Sequence, residues 1–466
     1  MKGNRIVILF ILLFITIVRY YYEDNTPLSK VSLATTLMTV LVASVTYFSK
    51  KESNVSLRYN FLTLSFMVIV GFIIVHFFEY WAFVIGEHST IIDMHFIDIN
   101  YINDAAICSC ASLICLMIGY LMTNSGFKVS NYYLPNNKRV LEWLMPICLL
   151  TFYFNAGDIY FKGGYGEVLN TTGLSLIATL SQSFFISCQI AYSVIVLYHG
   201  KKGFKQYIRS YSIGYYLSIL FYLYLVLSSG DRGPLFQTGI CYIAPYFFIN
   251  SLRIKPIPGI AILCSTALVL SLLGTVRSRD GDFSFNKIKE SQEYRSERYQ
   301  DENIIFTSTA ELSNCVRAYH VLYYYARTVG IFYGVGFLNQ LLGVIPGLRY
   351  FLYPILGIDS DKITTALITT QLLFQDHGMG TTCVGDIYCN FGFWGSLIVF
   401  ALFGVFIRKM DISIYSNYHE IHPFWVCLIL SFFMFGIYIG RGYLTSSVNV
   451  FAYSCLFLYL NKLFQK

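Results

Sequence analysis

Few side chains in this 466-residue sequence have the type and setting to do chemistry, and the arginines come first among them. Arg232 lies in SGDRGPLF (Ser229 to Phe236), Arg277 and Arg279 in TVRSRD, and Arg441 in GRGY. Each stands at the end of an apolar run, where a lone charge is costly unless it finds a partner. A planar guanidinium meets two phosphate oxygens at once. Arginines converging at one membrane depth would therefore suit an anionic lipid headgroup, above all a diphosphate. The competing reading is that each extends to the membrane interface or pairs with Asp231, Asp280 or a backbone carbonyl. Arg232 and Arg441 are flanked by glycine in tight turns that leave no room for such an extension, which favours a binding role for these two.

Acid and base candidates are fewer. His320, in RAYHVLYYYAR, and His377, in QDHGMG, carry the side chain that ordinarily titrates closest to neutrality, so either could take a proton from a hydroxyl. Glu311 and Asp386 are carboxylate candidates for the same task. Against each stands the plainer reading of a polar residue with no role. His76 and Glu79 are three residues apart and share a helix face, where they could relay protons or simply hold two helices together. Asp93, His95 and Asp98 could bind a divalent cation on spacing alone. No CxxC pair occurs among the 12 cysteines, so a zinc site is not indicated, and no metal or cofactor is assigned.

The elements that must position these residues are apolar. The chain is 56% hydrophobic and 13% charged, a balance that suits lipid better than water as the solvent, and the fold class expected is an all-α integral membrane protein. A net charge of +7 does not imply nucleic acid, because the basic residues fall between apolar runs and form no patch or stripe. A span needs about 20 apolar residues. About twelve such stretches are found, near 6 to 20, 31 to 48, 61 to 85, 105 to 122, 140 to 154, 174 to 198, 211 to 228, 234 to 250, 258 to 275, 387 to 407, 423 to 439 and 444 to 461. The first is not followed by a small-residue cleavage site, so it reads as an uncleaved span.

Orientation follows from the loops. Alternate short loops are basic, and with the two termini they hold 18 of the 33 Lys and Arg, which places that face and both chain ends in the cytoplasm. Three segments result: spans one to nine over 1 to 275, a large extracytoplasmic loop over 276 to 385, and spans ten to twelve over 386 to 466. Within the loop, Glu290 to Gln300 and Ser308 to Thr328 read as helical, and Ile363 to Phe374 as a short apolar helix suited to the membrane surface.

Three stretches together resemble the bacterial oligosaccharide repeat-unit polymerases, the O-antigen or capsule polymerases called Wzy. GDIYCNFGFWGSLIVFALFGVFIRK (Gly385 to Lys409) is similar to that family's acidic-x-Tyr-x-Asn-Phe-Gly-x-x-Gly entry into a late span. FYGVGFLNQLLGVIPG (Phe332 to Gly347) is similar to its Tyr-Gly segment leading to a proline, and SGDRGPLF to its Arg-Gly helix start. Asp386 departs from the glutamate usual there, which shortens its reach toward a substrate. The His-x10-Gly pattern of the related ligases is not met, since Gly330 falls one residue short of it from His320. The resemblance implies a GT-C-like, inverting, metal-independent glycosyltransferase of the bacterial cytoplasmic (inner) membrane. Its partners would be membrane lipid and undecaprenyl-diphosphate-linked glycans at the outer face, with a chain-length regulator protein as a further candidate. Other readings of the same sequence are a lipid-linked oligosaccharide flippase, an O-antigen ligase, and a metal-dependent sugar transferase using Asp93 and Asp98.

Overall fold

The computed structural model describes residues 2–49, 57, 60, 62–87, 89, 91, 99–130, 132–161, 176–229, 233–254, 258–259, 312–374, 378–416 and 418–464. Every regular element among them is helical; the one β-type contact is an isolated bridge between Val129 and Ile421. The elements are α1 (Lys2–Tyr22), α2 (Lys30–Phe48), α3 (Leu64–Ile85), α4 (Tyr101–Met122), α5 (Arg139–Phe161), α6 (Leu176–His199), α7 (Phe204–Arg209), α8 (Ile213–Ser229) and α9 (Gly233–Ile249). After residues outside the described set come α10 (Val316–Thr328), α11 (Val335–Leu342), α12 (Leu348–Leu356), α13 (Ser360–Ile363) and α14 (Thr365–Leu372). The last are α15 (Cys383–Ser416), α16 (Pro423–Phe435), a 3-10 helix (Gly436–Arg441) and α17 (Val448–Leu463).

Of the apolar stretches read from the sequence, all but 258 to 275 fall on a described helix, and that one lies outside the described residues apart from its first two. Among the described residues, seven helices are long and apolar enough to cross a membrane, and Ile213–Leu227 and Val448–Leu463 are shorter apolar ones. The protein is thus a multi-pass membrane protein. Its outermost helix, α1, leaves Phe10, Ile11, Phe14, Ile15 and Val18 exposed in a row, the surface that lipid covers.

At the centre stands α4, almost wholly buried, packed most closely against α15. The approach is close enough that backbone meets backbone. A Cβ at Gly119 would lie 1.9 Å from the Ala401 carbonyl oxygen, and one at Gly404 would lie 2.0 Å from that of Leu116. Small residues at such crossings are how helices associate where lipid removes the hydrophobic drive between them. Gly71 of α3 serves the 3-10 helix in the same way, since a Cβ there would sit 2.1 Å from the Ile437 carbonyl oxygen.

The long helix α15 differs from the sequence expectation at both ends. Arg408 and Lys409, just past the end expected for the span at 407, remain helical, and the helix runs on to Ser416. Asp411 holds this extension in place: its carboxylate accepts from the backbone of Leu64 (2.9 Å) and Ser65 (3.3 Å), capping the first turn of α3, and from the Tyr120 hydroxyl (3.0 Å). An anion at a helix N-terminus is favourable, and Arg408 lies over the Tyr120 ring and donates to its hydroxyl at 3.2 Å. At the other end α15 is broken at Gly392, whose φ of 67° and ψ of −169° belong to a region that side-chain-bearing residues scarcely enter. Gly392→Ala is expected to cost on the order of 1–3 kcal/mol from backbone strain alone, since no atom crowds the position more closely than 3.8 Å. The check is the melting temperature of the detergent-solubilised protein, with Gly239→Ala as a control at an open helical site. Equal melting of the wild type and Gly392→Ala would refute the strain argument.

Candidate active site

The first turns of α15 carry the polar residues of the Gly385 to Lys409 stretch, and they begin at a cap. Thr382 accepts from the Gly385 backbone through its hydroxyl (3.1 Å) and from Asp386 through its carbonyl (2.9 Å). This places Asp386 in the positive first turn of a helix, a favourable position for a carboxylate. Its side chain is 1% exposed. Both oxygens accept from the Gln340 amide, at 2.9 and 3.0 Å, and one accepts from the Thr365 hydroxyl at 2.9 Å. Thr381 extends the group by donating to Thr365 (3.0 Å).

One helical turn on, Asn390 works as a clamp. Its amide nitrogen donates to the Asp386 carbonyl (2.9 Å), and its oxygen accepts from the Phe337 backbone (2.8 Å). The Phe332 and Gly334 backbones donate to the carbonyls of Cys389 (2.7 Å) and Asn390 (2.9 Å). Gly336 is close enough that a Cβ would fall 2.8 Å from the Asn390 side-chain oxygen. Phe332 to Gly347 and Gly385 to Lys409, far apart in sequence, are therefore joined directly. Tyr388, between Asp386 and Asn390, faces another partner: the Tyr20 hydroxyl of α1 lies 3.1 Å from it and 2.8 Å from that of Tyr323 in α10.

Arg441 ends the 3-10 helix and is half-buried. The turn it opens is tied to the Asp386 group twice. Thr445 donates to the Gln340 side-chain oxygen, and the Ala366 backbone donates to the Tyr443 hydroxyl at 3.4 Å. Burial raises the Tyr443 pKa; the Asp386 carboxylate adds to the rise, while Thr365, Ala366 and the Arg349 guanidinium oppose it. Carboxylate, amide and hydroxyls from α11, α14, α15 and the turn that follows Arg441 thus share one region.

His320 lies elsewhere. It is 2% exposed on α10, its Nε2 is 2.8 Å from the Tyr80 hydroxyl, and its ring is enclosed by Tyr80 and Tyr319. Burial and the neighbouring His76 pull its pKa down to about 3, so the imidazole is neutral at physiological pH. Glu79 accepts from Ser313 (2.7 Å) and Ser89 (3.2 Å), which anchors the start of α10 to α3 and fits the helix-holding reading of that residue. Arg232, Arg277, Arg279, Glu311 and His377, with Asp93, His95 and Asp98, lie outside the described residues.

Two of the three stretches that the sequence reading singled out, Phe332 to Gly347 and Gly385 to Lys409, are thus mutually bonded, and the family model for O-antigen polysaccharide polymerase Wzy matches residues 4–464. The chain belongs to the O-antigen polysaccharide polymerase Wzy family. No curated protein and no solved structure matches it. Membership makes the protein a glycosyltransferase-type polymerase of O-antigen biosynthesis, acting in the inner membrane on lipid-linked oligosaccharide repeat units. Asp386 and Asn390 fasten α11 and α14 to α15, and Tyr388 fastens α1. Sequence reasoning passed over Gln340, Thr365, Tyr443 and Thr445, which complete the group. The available signal was the four-residue spacing of Asp386 and Asn390, which puts both on one helix face.

Proposed function

We propose that this Wzy protein joins undecaprenyl-diphosphate-linked repeat units into O-antigen or capsular polysaccharide at the outer face of the membrane, by inverting, metal-independent transfer. The growing glycan is the donor. A hydroxyl of the next lipid-linked unit attacks its anomeric carbon, the new C–O bond forms as the bond to the diphosphate breaks, and configuration inverts. The proton passes to a base, and the electron pair leaves with the diphosphate. Cations fixed where that charge grows lower the barrier, which is the part given to Arg441 together with Arg232, Arg277 and Arg279.

The observation that carries this reading is the tie between the Arg441 turn and the Asp386 group through Thr445 and Gln340. That tie holds the turn that carries Arg441 beside a preformed polar wall made by α11, α14 and α15. Asp386, with its oxygens engaged by Gln340 and Thr365, is a positioning residue in this scheme. His320, enclosed by tyrosines, supports α10. The base is then sought in His377 or Glu311. His377 is preferred because an imidazole ordinarily titrates closest to neutrality. The frame is GT-C-like, with about twelve spans, cytoplasmic termini and one large outer segment over 276 to 385, and a chain-length regulator would approach from that side.

The test is chain growth by purified protein in detergent with excess chelator, using lipid-linked repeat units isolated from cells lacking the protein. A ladder of products, with the new linkage inverted by NMR, is expected; a flippase would give none, and growth that stops in chelator would end the metal-independent reading. His377→Ala is expected to reduce extension by about two orders of magnitude, while His320→Gln reduces it far less. The reverse ranking would exchange their roles.

A further inference from the structure

The helix α12 carries two polar groups that the scheme above does not use. Arg349 stands in its first turn and Tyr353 four residues later, on the same face. The Arg349 Nε and the Tyr353 hydroxyl are both buried, and neither has a hydrogen-bond partner. A buried donor of this kind is ordinarily satisfied, so two adjacent ones facing the same way mark a place built for an acceptor. The guanidinium is fixed by contact. A Cβ added to Gly343 would lie 1.7 Å from one of its terminal nitrogens and 2.5 Å from its central carbon.

The rest of α12 supplies the setting. Phe351 and Ile355, on the other side of the helix from Arg349, are 74% and 78% exposed, and Ile345, just before the helix, is 58% exposed. The preceding segment is tied to a span, since the Tyr453 hydroxyl of α17 donates to the Val344 carbonyl at 2.7 Å. An apolar face held beside a span, with an arginine turned the other way, is how an interfacial helix lies at the boundary of headgroups and acyl chains. At that level the most abundant acceptor is phosphate. The Arg349 charge also opposes the rise in the Tyr443 pKa, so it stands within electrostatic range of the Arg441 turn.

We propose that Arg349 and Tyr353 form a binding site for a lipid phosphate group, with the outward face of α12 seated in the outer leaflet. The guanidinium donates to two phosphate oxygens and the phenol to a third. Two lipids bear that chemistry, the polyprenyl diphosphate carrier and an anionic phospholipid. The carrier assignment rests on the polymerase reading above, whereas the phospholipid assignment stands without it.

The experiment uses the full-length protein in nanodiscs, with native mass spectrometry counting retained undecaprenyl diphosphate or phosphatidylglycerol. Arg349→Gln is expected to lower retention of one of these by about tenfold or more, and Tyr353→Phe by a few-fold. Gly343→Ala, which keeps the charge but pushes the guanidinium aside, should reproduce the Arg349→Gln effect, and it keeps the test available if Arg349→Gln folds poorly. Loss confined to undecaprenyl diphosphate assigns the site to the carrier, and loss confined to phosphatidylglycerol assigns it to bulk lipid. Unchanged retention of both lipids in Arg349→Gln and Gly343→Ala overturns the proposal, even where the wild-type protein extends chains.

Discussion

Arg441→Ala is expected to leave the protein folded and membrane-inserted while lowering chain extension by about two orders of magnitude or more, so that lipid-linked single units accumulate. The argument is local. Arg441 closes a 3-10 helix packed so tightly on α3 that a Cβ at Gly440 would lie 2.9 Å from the Gly71 carbonyl oxygen. The backbone carrying the guanidinium is therefore fixed by contacts that the alanine variant keeps. Arg441→Lys should recover little, because an ammonium supplies a point charge and not the planar fork that matches two oxygens. The readout is the product ladder from reconstituted protein, alongside a size-exclusion profile. A ladder of wild-type length from Arg441→Ala would remove the diphosphate role from this residue.

Asp386→Ala should affect stability and activity together. Removing the carboxylate strands the Gln340 amide and the Thr365 hydroxyl, and a buried donor left alone costs about 1–3 kcal/mol. Two such donors give an expected loss of roughly 2–6 kcal/mol, with chain extension falling because the Thr445–Gln340 tie to the Arg441 turn loosens. Asp386→Asn should be milder, since one of its atoms still accepts. The discriminating measurement is a double-mutant cycle with Gln340→Ala: the two losses should fall short of additivity by about 1–3 kcal/mol. Additive losses, or an Asp386→Ala protein that melts and polymerises like wild type, would show that the network does not position the turn.

How far the sequence carried can be judged residue by residue. The helices were legible because continuous apolar runs have one solution in lipid, a segment that satisfies its own backbone. The family was legible because short motifs kept their order. The end of α15 was not legible at Arg408 and Lys409, because a charge in isolation looks like the end of a span; only the fold brings Tyr120 beside Arg408, and beside Asp411 the open turn of α3. Glu79 could be read as helix support or proton relay, and its bond to Ser313 favours support.

The amino-acid sequence alone determined the solvent, the helical class and the family, since each depends on composition and on patterns local to a few dozen residues. Only tertiary structure decided which side chains meet. Asp386 and Gln340, Thr445 and Gln340, and Arg349 over Gly343 are contacts across turns and between helices, fixed by packing that no periodicity encodes. The candidate site is therefore a product of the fold, whereas the membrane helices that hold it were already written in the chain.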